Sequence, residues 1–105
     1  MWRPEFIYDV RLGIHVPDLP QEWASYSEED RSEILFQWEQ IRGRIPDRIK
    51  EIEMRIIEKQ ERLNIEDNFT VSCRLNSEIA ELASRINDLH LWYRVNQEIS
   101  AREHH

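Results

Sequence analysis

Residues 34–63 read ILFQWEQIRGRIPDRIKEIEMRIIEKQERL, and residues 75–93 read LNSEIAELASRINDLHLWY. In both stretches large apolar residues recur three and four positions apart, which places them along one side of an α-helix. The first seam consists of Ile34, Trp38, Ile41, Ile45, Ile49, Ile52, Ile56 and Leu63, and the second of Leu75, Ile79, Leu82, Ile86, Leu89 and Tyr93. Such a seam is buried most readily against another helix, so the sequence predicts two long helical arms packed together.

The two arms have the same length, because they occupy residues 28–63 and 67–102. Asn64 to Asn68 supply polar turn residues between them. Equal arms joined by a short turn predict an all-α fold, a long antiparallel helical hairpin in which paired positions have numbers that sum to roughly 132. This pairing places Trp38 near Tyr93.

Helix boundaries follow from capping residues and breakers. Ser27 precedes an acidic first turn and predicts a helix over 27–43, ended by Gly43. Pro46 suits the first turn of a second helix over 46–63, and a third helix is predicted over 67–102. The apolar spacing stays in phase across Gly43 to Pro46, so one kinked helix and two collinear helices both remain open.

The first 26 residues differ in kind from the rest of the chain. Pro4, Pro17 and Pro20 interrupt them, and the β-prone residues 6–12 lie between these breakers. The sequence predicts an extended N-terminal arm that can hold one short strand. Because the arm is rich in aromatic residues, we expect it to pack on the open end of the helical hairpin or on another chain.

Composition excludes several classes of function. The chain carries 14 basic and 21 acidic residues, and its net charge of −7 disfavours nucleic acid and anionic membranes as partners. No apolar run reaches membrane-spanning length, and the N-terminus lacks the apolar core of a signal peptide. Cys73 is the single cysteine, which rules out an intrachain disulfide. We therefore expect a cytoplasmic protein.

The sequence contains no recognisable catalytic, metal or nucleotide motif. His90 has Asn87 three positions before it, so the Glu-x-x-His pattern of di-iron bundles is absent. Cys73 lacks a neighbouring base and is expected to be a small packed side chain. His104 and His105 resemble the start of a purification tag and are left out of every site. We expect no cofactor, no metal and no enzymatic activity.

Large apolar residues also lie outside the seams. Trp92, Val95 and Ile99 lie about 100° or more away from the seam of the third helix, and Phe36 lies opposite the seam of the first. The N-terminal arm can cover this end and complete the core, or a partner chain can cover it. The candidate interaction surface consists of Trp2, Phe6, Phe36, Trp92, Val95 and Ile99.

These patterns favour a non-enzymatic protein that acts through association with another protein. We expect a homodimer in which two helical hairpins form a four-helix assembly, or an unknown protein partner. Two alternatives stay open. A nucleic-acid-associated regulator would use the basic group Arg42, Arg44, Arg48 and Lys50, and an enzyme would need a site formed between chains.

Overall fold

The computed structural model describes residues 2–95, which are mostly helical and form an elongated body of 59 × 27 × 20 Å. Two strands come first, β1 (Phe6–Asp9) and β2 (Ile14–Pro17). A 3₁₀ turn at Trp23–Ser25 leads into α1 (Glu28–Arg42), α2 (Ile45–Asn64) and α3 (Phe69–Tyr93). Within the predicted third helix, residues 96–102 lie outside the described part of the chain, as do the predicted tag residues 104 and 105.

α1 and α2 form one long helix that is kinked at Gly43 and Arg44. Both kink residues keep right-handed helical dihedrals, and the Arg44 N–H donates to the Ile41 carbonyl at 3.0 Å instead of to the residue four before it. Pro46 has no backbone N–H to donate, so it interrupts the hydrogen bonds of the helix and disfavours a straight helix at this point. The first helix begins where the sequence predicts, because the Ser27 hydroxyl accepts from the Asp30 N–H at 3.1 Å.

α3 begins at Phe69, two residues after the start that the sequence predicts at residue 67. The Asn68 side chain caps it by accepting from the Val71 N–H at 3.1 Å. Lys59 of α2 pairs with Glu78 of α3 at 3.3 Å. The side chains of Trp38 and Trp92, on α1 and α3, pack with ring centroids 5.8 Å apart. The kinked helix and α3 therefore contact each other over much of their length.

The N-terminal arm contains a β-hairpin, which the all-α prediction omitted. β1 and β2 pair antiparallel, with Phe6 opposite Pro17 and Asp9 opposite Ile14. The turn closes through the Gly13 N–H, which donates to the Asp9 carbonyl at 2.7 Å. Gly13 has a φ of 74°, a left-handed conformation that glycine adopts without steric cost. The N-terminal arm therefore contains two strands, whereas the sequence predicted at most one.

The β-hairpin is fastened to the helices through its turn. Arg11 donates to Glu81 at 2.8 Å and Asp88 at 2.6 Å, both on α3. Arg48 of α2 donates to the Leu12 carbonyl at 2.9 Å. Apolar side chains from the arm and from all three helices then form one core: Phe6, Leu12, Ile14, Val16, Tyr26, Ile34, Trp38, Ile41, Ile45, Ile49, Ile52, Leu82 and Leu89.

Candidate interaction surfaces

The predicted aromatic residues of the arm and of α3 converge on Trp38 in the core. The Phe6 ring stacks on Trp38 with centroids 6.4 Å apart, and Trp92 meets the same ring edge-on at 5.8 Å. Phe6 is buried, whereas Trp92 is half-buried against the core, as is Val95. The sequence left open whether the N-terminal arm or a partner chain covers this end of the helices. In the structure the arm covers it and completes the core.

The other predicted surface residues lie apart from this cluster. Trp2 is half-buried and its ring lies 5.9 Å from that of His15. Phe36 is 63% exposed on α1. Ile99 lies outside the described residues. The predicted set therefore does not form one continuous exposed surface within residues 2–95.

The predicted basic group is divided among different contacts. Arg42 pairs with Glu39 at 2.6 Å and donates to the Tyr93 carbonyl at 3.2 Å. The Arg42 hydrogen bond holds the pKa of Glu39 below its ordinary value. Arg48 is held by the Leu12 carbonyl and by Glu51, and Lys50 is exposed. These cations do not make a single basic patch.

Arg44 instead belongs to a groove of about 490 Å³ between the β-hairpin and the kink. Its guanidinium lies 5.5 Å from the centroid of the Trp2 ring, a cation–π arrangement. Asp47 and Glu51 line the same groove and offset the charge of the arginines. The groove thus presents both signs of charge and selects no single ligand chemistry.

One side of the α2–α3 layer is densely charged. Its basic side chains are Arg55, Lys59, Arg74 and Arg85, which line a groove with Glu78 and Glu81. This is also the side on which the β-hairpin lies, because Glu81 accepts from Arg11 as well as from Arg85. Hydrogen bonds from Arg11, which has the larger effect, and from Arg85 hold the pKa of Glu81 below its ordinary value. We call this side the charged face.

On the opposite side of the same layer, α3 carries no charged residue from Asn76 to Asn87. At 100° per residue, Ala83 lies about 160° around α3 from Glu81, and Ile57 lies about 160° around α2 from Lys59. Ile57 is 51% exposed, and Ile79 is half-buried. We call this side the uncharged face, although Lys50 and Glu53 lie on the same side of α2, within about 20° of Ile57 and Gln60 respectively and nearer the kink. The residues that define it are Ile57, Gln60, Asn76, Ile79, Ala83 and Asn87.

The sequence interpretation missed the uncharged face because it followed only the large apolar residues. The signal lies instead in small and amide side chains at helical spacing, namely Asn76, Ala83 and Asn87 on α3. A count of charges around each helix would have found it, since polar residues on solvated helices of this chain are mostly ionic. The face is therefore a feature of pattern and not of any single residue.

Comparison with known proteins places the chain in no established group. No family model matches it, and no curated protein or solved structure matches it either. Within residues 2–95, no helix is long and apolar enough to cross a membrane. The same residues contain no cluster of three or more histidine, cysteine or carboxylate side chains with metal-binding geometry.

Proposed function

We propose that this chain is a small non-enzymatic protein that acts through protein–protein association, with its helices arranged as an antiparallel hairpin. The uncharged face is the surface that we assign to this association. The β-hairpin serves the opposite role, because it covers the aromatic end of the helices and leaves the uncharged face open.

A single observation carries this proposal, the segregation of charge across the α2–α3 layer. Charged residues make up 33% of the chain, yet on this side α3 carries none from Asn76 to Asn87. Depletion of charge together with exposed aliphatic side chains is typical of the centre of a protein interface. A solvated helix face in so charged a chain would ordinarily carry ionic side chains.

The basic group supports a nucleic-acid role less well. Arg42 and Arg48 already donate to groups within the chain, and Asp47 and Glu51 lie beside Arg44 and Arg48 in the groove. Phosphate binding would require these cations to exchange partners. We further propose a cytoplasmic location. Cys73 is exposed, whereas the sequence predicted a packed side chain, and this single cysteine supports the location because disulfide frameworks belong to oxidising compartments.

Site-specific photo-crosslinking tests the proposal in cells that produce the protein. A photoreactive amino acid at position 60 lies on the uncharged face, and the same amino acid at position 58 is the matched control. Both positions are exposed on α2 and point about 160° apart. We expect protein adducts from position 60 and none from position 58. Equal labelling at the two positions, or none at either, would contradict the assignment of this face.

A further inference from the structure

We infer that the groove on the charged face binds a phosphate monoester, the dianionic group carried by phosphorylated side chains and by small phosphorylated molecules. The groove lies between α2 and α3 and has a volume of about 280 Å³. Pockets for drug-sized ligands have roughly 300–1,000 Å³, so this groove suits a small group better than a large one. It lies on the side opposite the uncharged face, so the inference is independent of the proposed association.

The balance of charge in this groove is positive, although the chain as a whole is acidic. Four cations and two carboxylates line it, which leaves a surplus of two positive charges in a chain whose net charge is −7. Salt screens exposed charges beyond roughly 8 Å at physiological ionic strength, so the charges of the groove outweigh distant ones. A phosphate monoester carries about −1.5 to −2 charges at neutral pH, which matches the surplus.

Both carboxylates of the groove are already engaged by other cations. Glu78 pairs with Lys59 across the two helices at 3.3 Å. Glu81 accepts from Arg85 at 3.2 Å and also from Arg11, in the turn of the β-hairpin, at 2.8 Å. Neither carboxylate is therefore left to neutralise a further cation of the groove.

Arg55 on α2 and Arg74 on α3 are the two cations left over. Within residues 2–95, neither side chain makes an ion pair or a hydrogen bond. Glu51, one helical turn before Arg55, pairs with Arg48 instead, at 3.0 Å. Two guanidinium groups thus line one groove from different helices, and each can present a fork of N–H donors to phosphate oxygens.

Ser77 adds a neutral donor to the same groove. It follows Arg74 by one helical turn on α3, and its hydroxyl can donate a hydrogen bond to a phosphate oxygen. Arg55, Arg74 and Ser77 are all exposed. Because the site is open to solvent, we expect its binding to weaken as the salt concentration rises.

Titration of the full chain followed by NMR tests the inference, because shifts of backbone amides in α2 and α3 report binding at the groove. The probes are a short peptide with one phosphoserine, glycerol phosphate, and dimethyl phosphate, a diester with a single negative charge. We expect saturable shifts around the groove with a monoester probe and much smaller shifts with the diester. Binding of the peptide alone identifies a phosphorylated chain as the source of the group, and binding of glycerol phosphate alone identifies a small molecule.

Single substitutions locate the binding. Arg55→Gln and Arg74→Gln should each raise the dissociation constant about threefold or more, because each removes charge-assisted donors from an exposed site. Arg94→Gln is the matched control. It removes the same charge from an exposed residue just beyond the end of α3, about 30 Å along the helix axis from Arg74, and should leave binding unchanged.

Circular dichroism keeps the comparison interpretable. All three arginines are exposed, so each variant should keep the helix content of the wild type. The inference would be overturned if neither monoester bound, if the diester bound as tightly as the monoesters, or if all three variants weakened binding equally.

Discussion

Gly13 shows how one residue determines the shape of the N-terminal arm. Its positive φ lets the turn after β1 close, and the missing side chain leaves room for the Arg48 guanidinium. A Cβ at this position would lie 2.7 Å from the Arg48 Nε atom. The same Nε atom donates to the Leu12 carbonyl, so the turn and α2 are joined at this point. A side chain here would disturb both the backbone and that hydrogen bond.

Gly13→Ala is therefore expected to lower the free energy of unfolding by about 1–3 kcal/mol, from left-handed strain and the contact with Arg48. Gly43→Ala is the matched control. Gly43 has helical dihedrals and its Cβ would meet nothing closer than 3.5 Å, so alanine there should be neutral or stabilising by about 1 kcal/mol or less. Urea denaturation measures both. Equal effects at the two glycines would contradict the role given to Gly13.

Glu5 carries a carboxylate that is buried beside Arg3. Their side chains meet at 2.8 Å, and this hydrogen bond holds the pKa of Glu5 below its ordinary value of about 4.5. The pKa of Glu5 is lower in the folded state than in the unfolded state. Ionised Glu5 therefore stabilises the fold at pH values above its ordinary pKa. That stability is lost as the pH falls through the folded pKa.

Thermal unfolding between pH 7 and pH 3 measures how the ionisation of Glu5 affects the stability of the fold. Glu5→Gln should melt below the wild type at neutral pH, and the difference should shrink as the medium becomes more acidic than the ordinary pKa of a glutamate. Glu28→Gln, on an exposed residue in the first turn of α1, is the control for removing one surface carboxylate. A Glu5 difference that stays constant with pH would argue against the Arg3 contact.

At the scale of elements, the sequence determined the helices far better than the strands. The two seams have periods that only helices satisfy, and most of their central residues are buried, from Ile34 to Ile52 on the kinked helix. The predicted contact of Trp38 with Tyr93 is displaced by one residue, since Trp38 packs on Trp92 and Arg42 lies over the Tyr93 ring. Register at this level depends on the kink, which the spacing left open.

The sequence did not predict the β-hairpin because each pattern that would indicate it spans only a few residues. Each strand has only four residues, and a single glycine at position 13 closes the turn between them. Its docking depends on residues far apart in the sequence, such as Arg11 with Asp88. Local patterns cannot reveal such pairings, and for the same reason they could not decide whether Phe6 and Trp92 face a partner or the core.

Trp92 and Phe36 test this distinction between core and surface. Trp92→Ala removes the ring that packs on Trp38 and should lower the free energy of unfolding by about 2–3 kcal/mol. Phe36→Ala removes a ring that is 63% exposed and should change it by less than about 0.5 kcal/mol. Chemical denaturation measures both variants at one protein concentration. A larger loss at Phe36 than at Trp92 would mean that the aromatic end is packed differently.

For the molecule as a whole, the distribution of charge matters more than its total. Net charge and composition are properties of the whole chain, so they could exclude simple electrostatic partners but could not show a face without charge. The charges around each helix already indicate that face, and the fold adds that the β-hairpin occupies the other side of the α2–α3 layer, through Arg11 and Glu81. The sequence thus predicted association in general, while the fold was required to show which face the β-hairpin leaves open.

The most direct test of this account is photo-crosslinking from the uncharged face in cells that produce the protein. The photoreactive amino acid is placed at position 60 on that face and, as the matched control, at position 58, which points about 160° away on α2. We predict protein adducts from position 60 alone. Adducts of equal yield from both positions, or none from either, would contradict association through the uncharged face.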